Sequence, residues 1–234
     1  KGSSRSQAKA SLRYGSLHIV DATLEGESPF LKQRAFINLS ANYYRTDGFN
    51  TDPAYMEGGT TAPPYRDYTA QGRLRYKLNE SSSLALSGRY ALRQSFMDQI
   101  FGTAGQRNHA LDQQDISDIN SSLSYDKTYA RRWRGLTRYY YNSYSSTMQV
   151  LWQETNSAVS AEEFQQHVHH LEQQLSFRPA ADLKFTAGLG ATLDAMKNKD
   201  YAAPTAMWSA FGYLQSDWTL SERIAIVGGL RFDK

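Results

Sequence analysis

The 234-residue chain is 40% hydrophobic and carries 26 basic against 23 acidic residues, a net charge of +3. With a mean hydropathy of −0.62 and no run near the ~18 apolar residues a spanning helix needs, it cannot be a bundle of membrane helices. The absence of cysteine removes disulfide frameworks, zinc–cysteine sites and thiol nucleophiles, and interspersed charge without a dense basic patch excludes a nucleic-acid partner.

Sixteen Tyr, ten Phe and four Trp against six Pro favour strands and membrane interfaces. The opening Lys1-Gly-Ser-Ser has no apolar h-region, so no signal peptide is visible. Strands are predicted at 6–14 and 18–27, joined by the tight Gly15-Ser-Leu17 connection. The third, 33–46, alternates cleanly, with Ala35, Ile37, Leu39, Ala41 and Tyr43 on one face and Asn38, Ser40 and Asn42 on the other. The fourth, 67–78, sets Ala70, Gly72, Leu74, Tyr76 and Leu78 against Gln71, Arg73, Arg75 and Lys77. The fifth, 82–97, sets Leu84, Leu86, Gly88, Tyr90 and Leu92 against Ser83, Ser87, Arg89 and Arg93. Period two is a strand with one wet and one apolar face.

Further strands are expected at 116–126, 133–153, 167–178, 183–195, 206–218 and 223–233. In 133–153, Arg138 and Tyr139-Tyr-Tyr141 leave the faces unassigned. The ninth repeats the pattern with Phe185, Ala187, Leu189 and Ala191, and the last with Ile224, Ile226, Gly228, Leu230 and Phe232. Short connections at 28–32, 79–81, 127–132, 179–182 and 219–222 alternate with long ones at 47–66, 98–115, 154–166 and 196–205. Only the Gly15-Ser-Leu17 turn breaks that parity. Loops sorted this way by length, on about eleven antiparallel strands, are how outer-membrane barrels are built. An arginine at the lipid midplane costs ~2–4 kcal/mol, so the face bearing Arg73, Arg75 and Lys77 must look into a wet lumen or a protein filling. The expected fold is an all-β, antiparallel up-and-down transmembrane barrel. The competing architecture is a soluble sandwich whose apolar face packs a second sheet.

Several segments carry candidate chemistry. Gly188-Leu-Gly190 sits inside an alternating strand with no helix after it, which fits backbone crowding better than a phosphate cradle. His167 and His169 share a strand face and have the chemistry for a metal or a haem edge, although an interface role is the plainer reading. No metal site and no cofactor are assigned. Tyr55 and Met56, with Phe101, Arg107 and His109, lie in stretches expected to be loops, the natural place to catch a ligand. Arg73, Arg75, Arg89, Arg93, His170 and Glu172 are expected on the lumen side. Ser, His and Asp are present, but nothing in the spacing fixes a hydrolase geometry, so no enzyme is expected.

Asn42-Tyr-Tyr-Arg-Thr-Asp-Gly-Phe49, Gly72-Arg-Leu-Arg-Tyr76, Leu86-Ser-Gly-Arg-Tyr90 and His170-Leu-Glu-Gln-Gln-Leu-Ser176 resemble the first half of the barrel of TonB-dependent outer-membrane receptors. So does Gly212-Tyr-Leu-Gln-Ser-Asp-Trp218 through Gly229-Leu-Arg-Phe-Asp233, the most specific part, and the likeness spans nearly the whole chain. The resemblance implies a twenty-two-stranded barrel of a Gram-negative outer membrane, filled by an N-terminal plug and importing a scarce nutrient with energy from TonB. Residues 1–234 would be one partial barrel domain, incomplete at both ends, because an odd strand count puts the chain ends on opposite rims. The plug that contacts TonB is not in this sequence; it would meet Arg73, Arg75, Arg89, Arg93, His170 and Glu172. An iron complex, siderophore or haem, is the first substrate class, and cobalamin the next. A passive porin and a soluble adhesion or binding sandwich are the alternatives of other classes.

Overall fold

In a computed structural model of the chain, residues 5–49, 62–103, 106–152, 155, 157–199 and 203–234 are described. They form eleven strands: β1 Gln7–Gly15, β2 Ile19–Phe30, β3 Ala35–Thr46, β4 Tyr65–Lys77, β5 Ser82–Thr103, β6 Gln106–Ala130, β7 Trp133–Trp152, β8 Ala158–Phe177, β9 Leu183–Asn198, β10 Thr205–Ser221 and β11 Ile224–Asp233. Each strand pairs antiparallel with the next in sequence, in one up-and-down sheet ordered β1 to β11.

Directly paired residues in an antiparallel ladder share a face, so the register carries each strand's apolar stripe to its neighbour. Ile37 pairs Leu74, which pairs Leu86, which pairs Leu123. Leu123 pairs Tyr139, then Leu171, Ala191 and Ala210 follow in the same row. The predicted stripes therefore fuse into one apolar face eleven strands wide. Among the described residues Ala35 and Ala110 alone are buried hydrophobics, whereas Leu12, Leu189 and Leu214 are 73%, 66% and 64% exposed. A soluble sandwich would bury these side chains; here a single sheet leaves them uncovered.

Aromatic residues border this face on both sides. Phe30, Tyr76, Trp133, Phe177 and Trp218 lie toward the short-turn rim, with Trp133 and Phe177 stacked at 4.4 Å. Tyr14, Tyr43, Tyr68 and Trp208 lie toward the other, and Tyr43 and Tyr68 touch at 4.9 Å. Trp208 and Trp218 are ten positions apart on β10, or ~33 Å along a strand. At the ~40° tilt of membrane barrels this is a height of about 25 Å, the thickness of their apolar band.

The structure corrects several predicted strand ends. β5 runs on to Thr103 and β6 starts at Gln106, so residues 98–103 and 106–115, expected in a loop, are paired strand. β8 begins at Ala158 rather than near 167, β9 continues to Asn198, and β6 continues through most of the 127–132 turn to Ala130. The physical reason is the same at the upper rim. Above the apolar band the outward positions Gln94, Asp115, Gln165 and Lys197 are polar, so alternation ends while the hydrogen-bond ladder continues. Strands of 20–25 residues are about twice the ~9–11 that a bilayer needs.

Gly188-Leu-Gly190 is explained by its neighbours rather than by any ligand. A Cβ on Gly190 would lie 2.5 Å from the Phe211 ring and 2.8 Å from the Leu171 carbonyl oxygen, and the Tyr213 ring crosses Gly188 in the same way. The two rings lie flat on glycine backbone, an arrangement that pins cross-strand register. Gly190→Val is expected to lower stability by about 1–3 kcal/mol, because a backbone carbonyl cannot rotate out of the way. Urea unfolding of the full-length protein in lipid vesicles measures it, and an unchanged midpoint refutes this packing.

Candidate functional site on the polar face

The same register gathers the polar residues on the opposite face. At its β1–β3 end Arg13 pairs Asp21 at 2.6 Å, and the Asn42 amide donates to Asp21 and to Thr23 at 2.9 Å each. Next, Arg93 clamps Asp67 with two bonds of 2.7 and 2.9 Å and lies over the Tyr65 ring. Arg89 sits 3.8 Å from Asp118, whose carboxylate also accepts from Asn120 and Asn142, while the Tyr140 hydroxyl donates to Asn120.

Toward β11 the wall becomes aromatic. The Tyr213 hydroxyl donates to Glu172 at 2.9 Å, and Arg138 approaches the same carboxylate at 3.5 Å. His170 bonds Thr192 at 2.9 Å and stacks on Phe211 with centroids 5.6 Å apart. Arg231 covers the other aromatic contact, 4.3 Å from the Phe211 centroid, while chelating Asp233. A concavity of about 580 Å³ is lined by His170, Glu172, Phe211, Tyr213 and Arg231, and a smaller one of about 310 Å³ by Arg73, Arg89, Asn120 and Tyr140.

All six residues expected on the lumen side thus stand on the polar face, but in two states. Arg89 and Arg93, like His170 and Glu172, are engaged by neighbouring strands. Arg73 and Arg75 make no ion pair among the described residues. Sequence reasoning missed Asp67, Asp118, Tyr213 and Arg231, the partners that fix these groups. Parity places each on the wet face, but only the register tells which strand neighbour it meets.

The predicted ligand-catching residues fare differently. Tyr55 and Met56 lie outside the described residues, as do the side chains of Phe101 and Arg107. The backbone of Phe101 and Arg107 is strand, paired to Asn108 and Gly102, and His109 is likewise on β6, opposite Ile100. These positions are therefore not loop, and His109 takes the outward face of the upper hairpin. On the inward side of that extension, burial and then the charge of Glu162 hold the Asp112 carboxyl above its ordinary range. At the β3 rim the hydrogen bond from Arg45 is the largest cause holding the Asp47 carboxyl below it, and His18 lies 2.9 Å from the same group.

His167 and His169 belong to the apolar face. Their Nδ1 atoms meet the hydroxyls of Tyr141 and Tyr139 at 3.2 and 2.8 Å, and Tyr141 packs on His169 with centroids 4.9 Å apart. These are interface contacts of the upper aromatic border. No group of three or more His, Asp or Glu side chains that could hold a metal ion occurs among the described residues.

No protein-family model matches the chain, and no curated protein matches it. Solved structures do. The siderophore receptor PirA from Acinetobacter baumannii superposes with a TM-score of 0.71 at 12% identity, over 100% of this chain and 39% of the receptor. A mutant of the ferric enterobactin receptor PfeA from Pseudomonas aeruginosa gives 0.71 at 11% identity, over 100% and 40%. The ferric citrate transporter FecA gives 0.68 at 11% identity, over 97% and 38%. The chain thus spans about two-fifths of the length of the receptors it matches. At such identities the likeness is one of fold. An uncovered apolar face, a polar face and eleven meandering strands give this chain the fold of a stretch of the β-barrel wall of the TonB-dependent receptors.

Proposed function

We propose that this chain is the wall of a receptor in a Gram-negative outer membrane that imports an iron complex, a siderophore or haem, using energy delivered by TonB. In this reading residues 1–234 are one barrel domain continued by further strands at both edges to a total of twenty-two, and TonB acts through a plug domain outside this sequence. The carrying observation is the division of the sheet into an uncovered apolar face of bilayer height and a charged face. The names of the receptors that share the fold, for siderophores, ferric enterobactin and ferric citrate, support this substrate class.

Arg73 and Arg75 are the residues left for the plug. Arg89 and Arg93 already have carboxylate partners on their own wall, whereas a guanidinium without one gains most from a carboxylate brought to it. The extended β5–β6 and β7–β8 hairpins would receive the ligand on the outer side.

Deleting the gene from its host tests the function. Under iron restriction, growth on one ferric siderophore or on haem is expected to be lost, to return with the full-length protein, and to require TonB. Growth lost only on cobalamin would move the substrate to that class. Uptake that survives removal of TonB would make the protein a passive channel and end the proposal.

A further inference from the structure

The short-turn rim carries a concentration of positive charge that the import reading does not use. Arg131 and Arg132 form the β6–β7 turn, and the Arg178 amide just beyond β8 donates to the Arg132 carbonyl at 2.9 Å. That bond draws the two turns together, and the three side chains border one concavity of about 330 Å³ with Arg134, Ser176 and Lys184. Arg134 is committed to Asp126, and Lys184 to Asp217 at 3.2 Å. Arg131, Arg132 and Arg178 are exposed and form no ion pair among the described residues.

The orientation of the concavity narrows the partner. Thr128, Arg134, Leu136, Gln174, Ser176 and Lys184, which line it, all hold positions on the inward face. Lipid headgroups approach from the opposite face, where only the uncharged Ala130 and Trp133 of its strand lining stand, so the charged lining favours a partner on the inward side. Arg134 also borders a second, larger hollow of about 870 Å³, whose cations are Arg34 and Lys77 and whose acids are Glu80 and Asp126. In that hollow the two acids offset most of the positive charge, so the excess of unpaired cations is concentrated at the β6–β7 and β8–β9 turns. Guanidiniums present forked donors that match carboxylates bidentately, and an extended chain with carboxylates at short spacing fits such a cluster.

We propose that this rim is a docking site for an acidic polypeptide segment entering the lumen from the short-turn side, with Arg131, Arg132 and Arg178 as its principal contacts. The orientation rests on the barrel reading above, whereas the contact itself requires neither an iron ligand nor a working import cycle.

The test uses the full-length protein in neutral detergent micelles and a fluorescein-labelled octaglutamate peptide, followed by anisotropy. Binding is expected at 50 mM NaCl and to weaken at least tenfold at 300 mM, since charges at this exposure are strongly screened. Arg131→Gln/Arg132→Gln/Arg178→Gln is expected to raise Kd at least tenfold. Lysine at the same three positions should keep Kd within about threefold, and Arg13→Gln, on the polar face near the opposite rim, should leave it unchanged. Loss of equal size in the Arg13 variant would overturn the site, since it would mean only diffuse attraction to the polar face. A benzophenone-bearing peptide on the unaltered protein provides the independent reading. Cross-links within residues 128–134 and 174–184 support the docking site; cross-links elsewhere, or none, overturn it. No octaglutamate binding by the unaltered protein, in a host where iron uptake is intact, would refute this inference and leave the import function standing.

Discussion

Leu189→Arg is expected to destabilise the membrane-embedded protein by about 2–4 kcal/mol, the cost of an arginine near the lipid midplane of a barrel. Leu189 lies on the apolar face of β9 with 66% of its surface exposed. Its row partner on β10 is Gly212, about midway between Trp208 and Trp218, so the new charge has the longest path to either interface. Ser40→Arg is the control, because it adds the same side chain on the other face. Ser40 pairs Glu25, and an arginine there gains a carboxylate in a wet setting, so its effect should stay within about 1 kcal/mol. Urea unfolding of the full-length protein in zwitterionic vesicles gives both values. Equal effects would remove the distinction between the faces and with it the membrane reading.

The opposite costs of one side chain on two faces also explain what could be read from the sequence. Lipid rejects charge, so selection writes the outward face of each spanning segment as an apolar stripe. Ile37, Leu74 and Leu86 were therefore legible as one face before their pairing was known. Above the bilayer, water tolerates any residue on either side, and β5 loses its alternation at Gln94 while continuing as strand to Thr103. The pattern reported bilayer thickness rather than strand length, which is why Phe101, Arg107 and His109 were expected in loops. Tyr139-Tyr-Tyr141 was opaque for a different reason. Tyrosine suits both an interface and a polar wall. Tyr139 and Tyr141 meet His169 and His167 on one face, while Tyr140 reaches Asn120 on the other.

The candidate site was legible as a face but not as a set of partners. Parity alone placed Arg73, Arg75, Arg89 and Arg93 together. Which of them is free depends on Asp67 falling opposite Arg93 and Asp118 diagonally beside Arg89, and a polar ladder does not encode its own register. Gly188 and Gly190 show the converse: the residues that require them, Tyr213 and Phe211, sit more than twenty positions away on the adjacent strand.

Replacing Met97–Asp112 by Asn-Gly should leave the barrel folded and inserted while lowering uptake of the iron complex at least tenfold. Phe96 and Gln113 are direct partners, so a two-residue Asn-Gly turn closes the shortened hairpin with the twist that antiparallel strands favour. The excised segment lies above the polar outward positions Gln94 and Asp115, so it buries no lipid-facing surface. The excision removes the upper β5–β6 ladder and the β6–β7 pairs of Ala110, Leu111 and Asp112, so unfolding in vesicles should move by about 1–3 kcal/mol without loss of insertion. Uptake would fall because the upper wall, including Asp112 opposite Met97, forms the surface a ligand meets before the lumen. Two measurements separate the contributions: urea unfolding for the wall, and accumulation of the radiolabelled iron complex identified by the growth assay for capture. A variant that no longer inserts would show that the spanning part of β5 and β6 extends beyond Gln94 and Asp115. Full uptake by an inserted variant would assign capture to other hairpins, leaving the β7–β8 extension from Thr147 to Glu163 as the next to shorten.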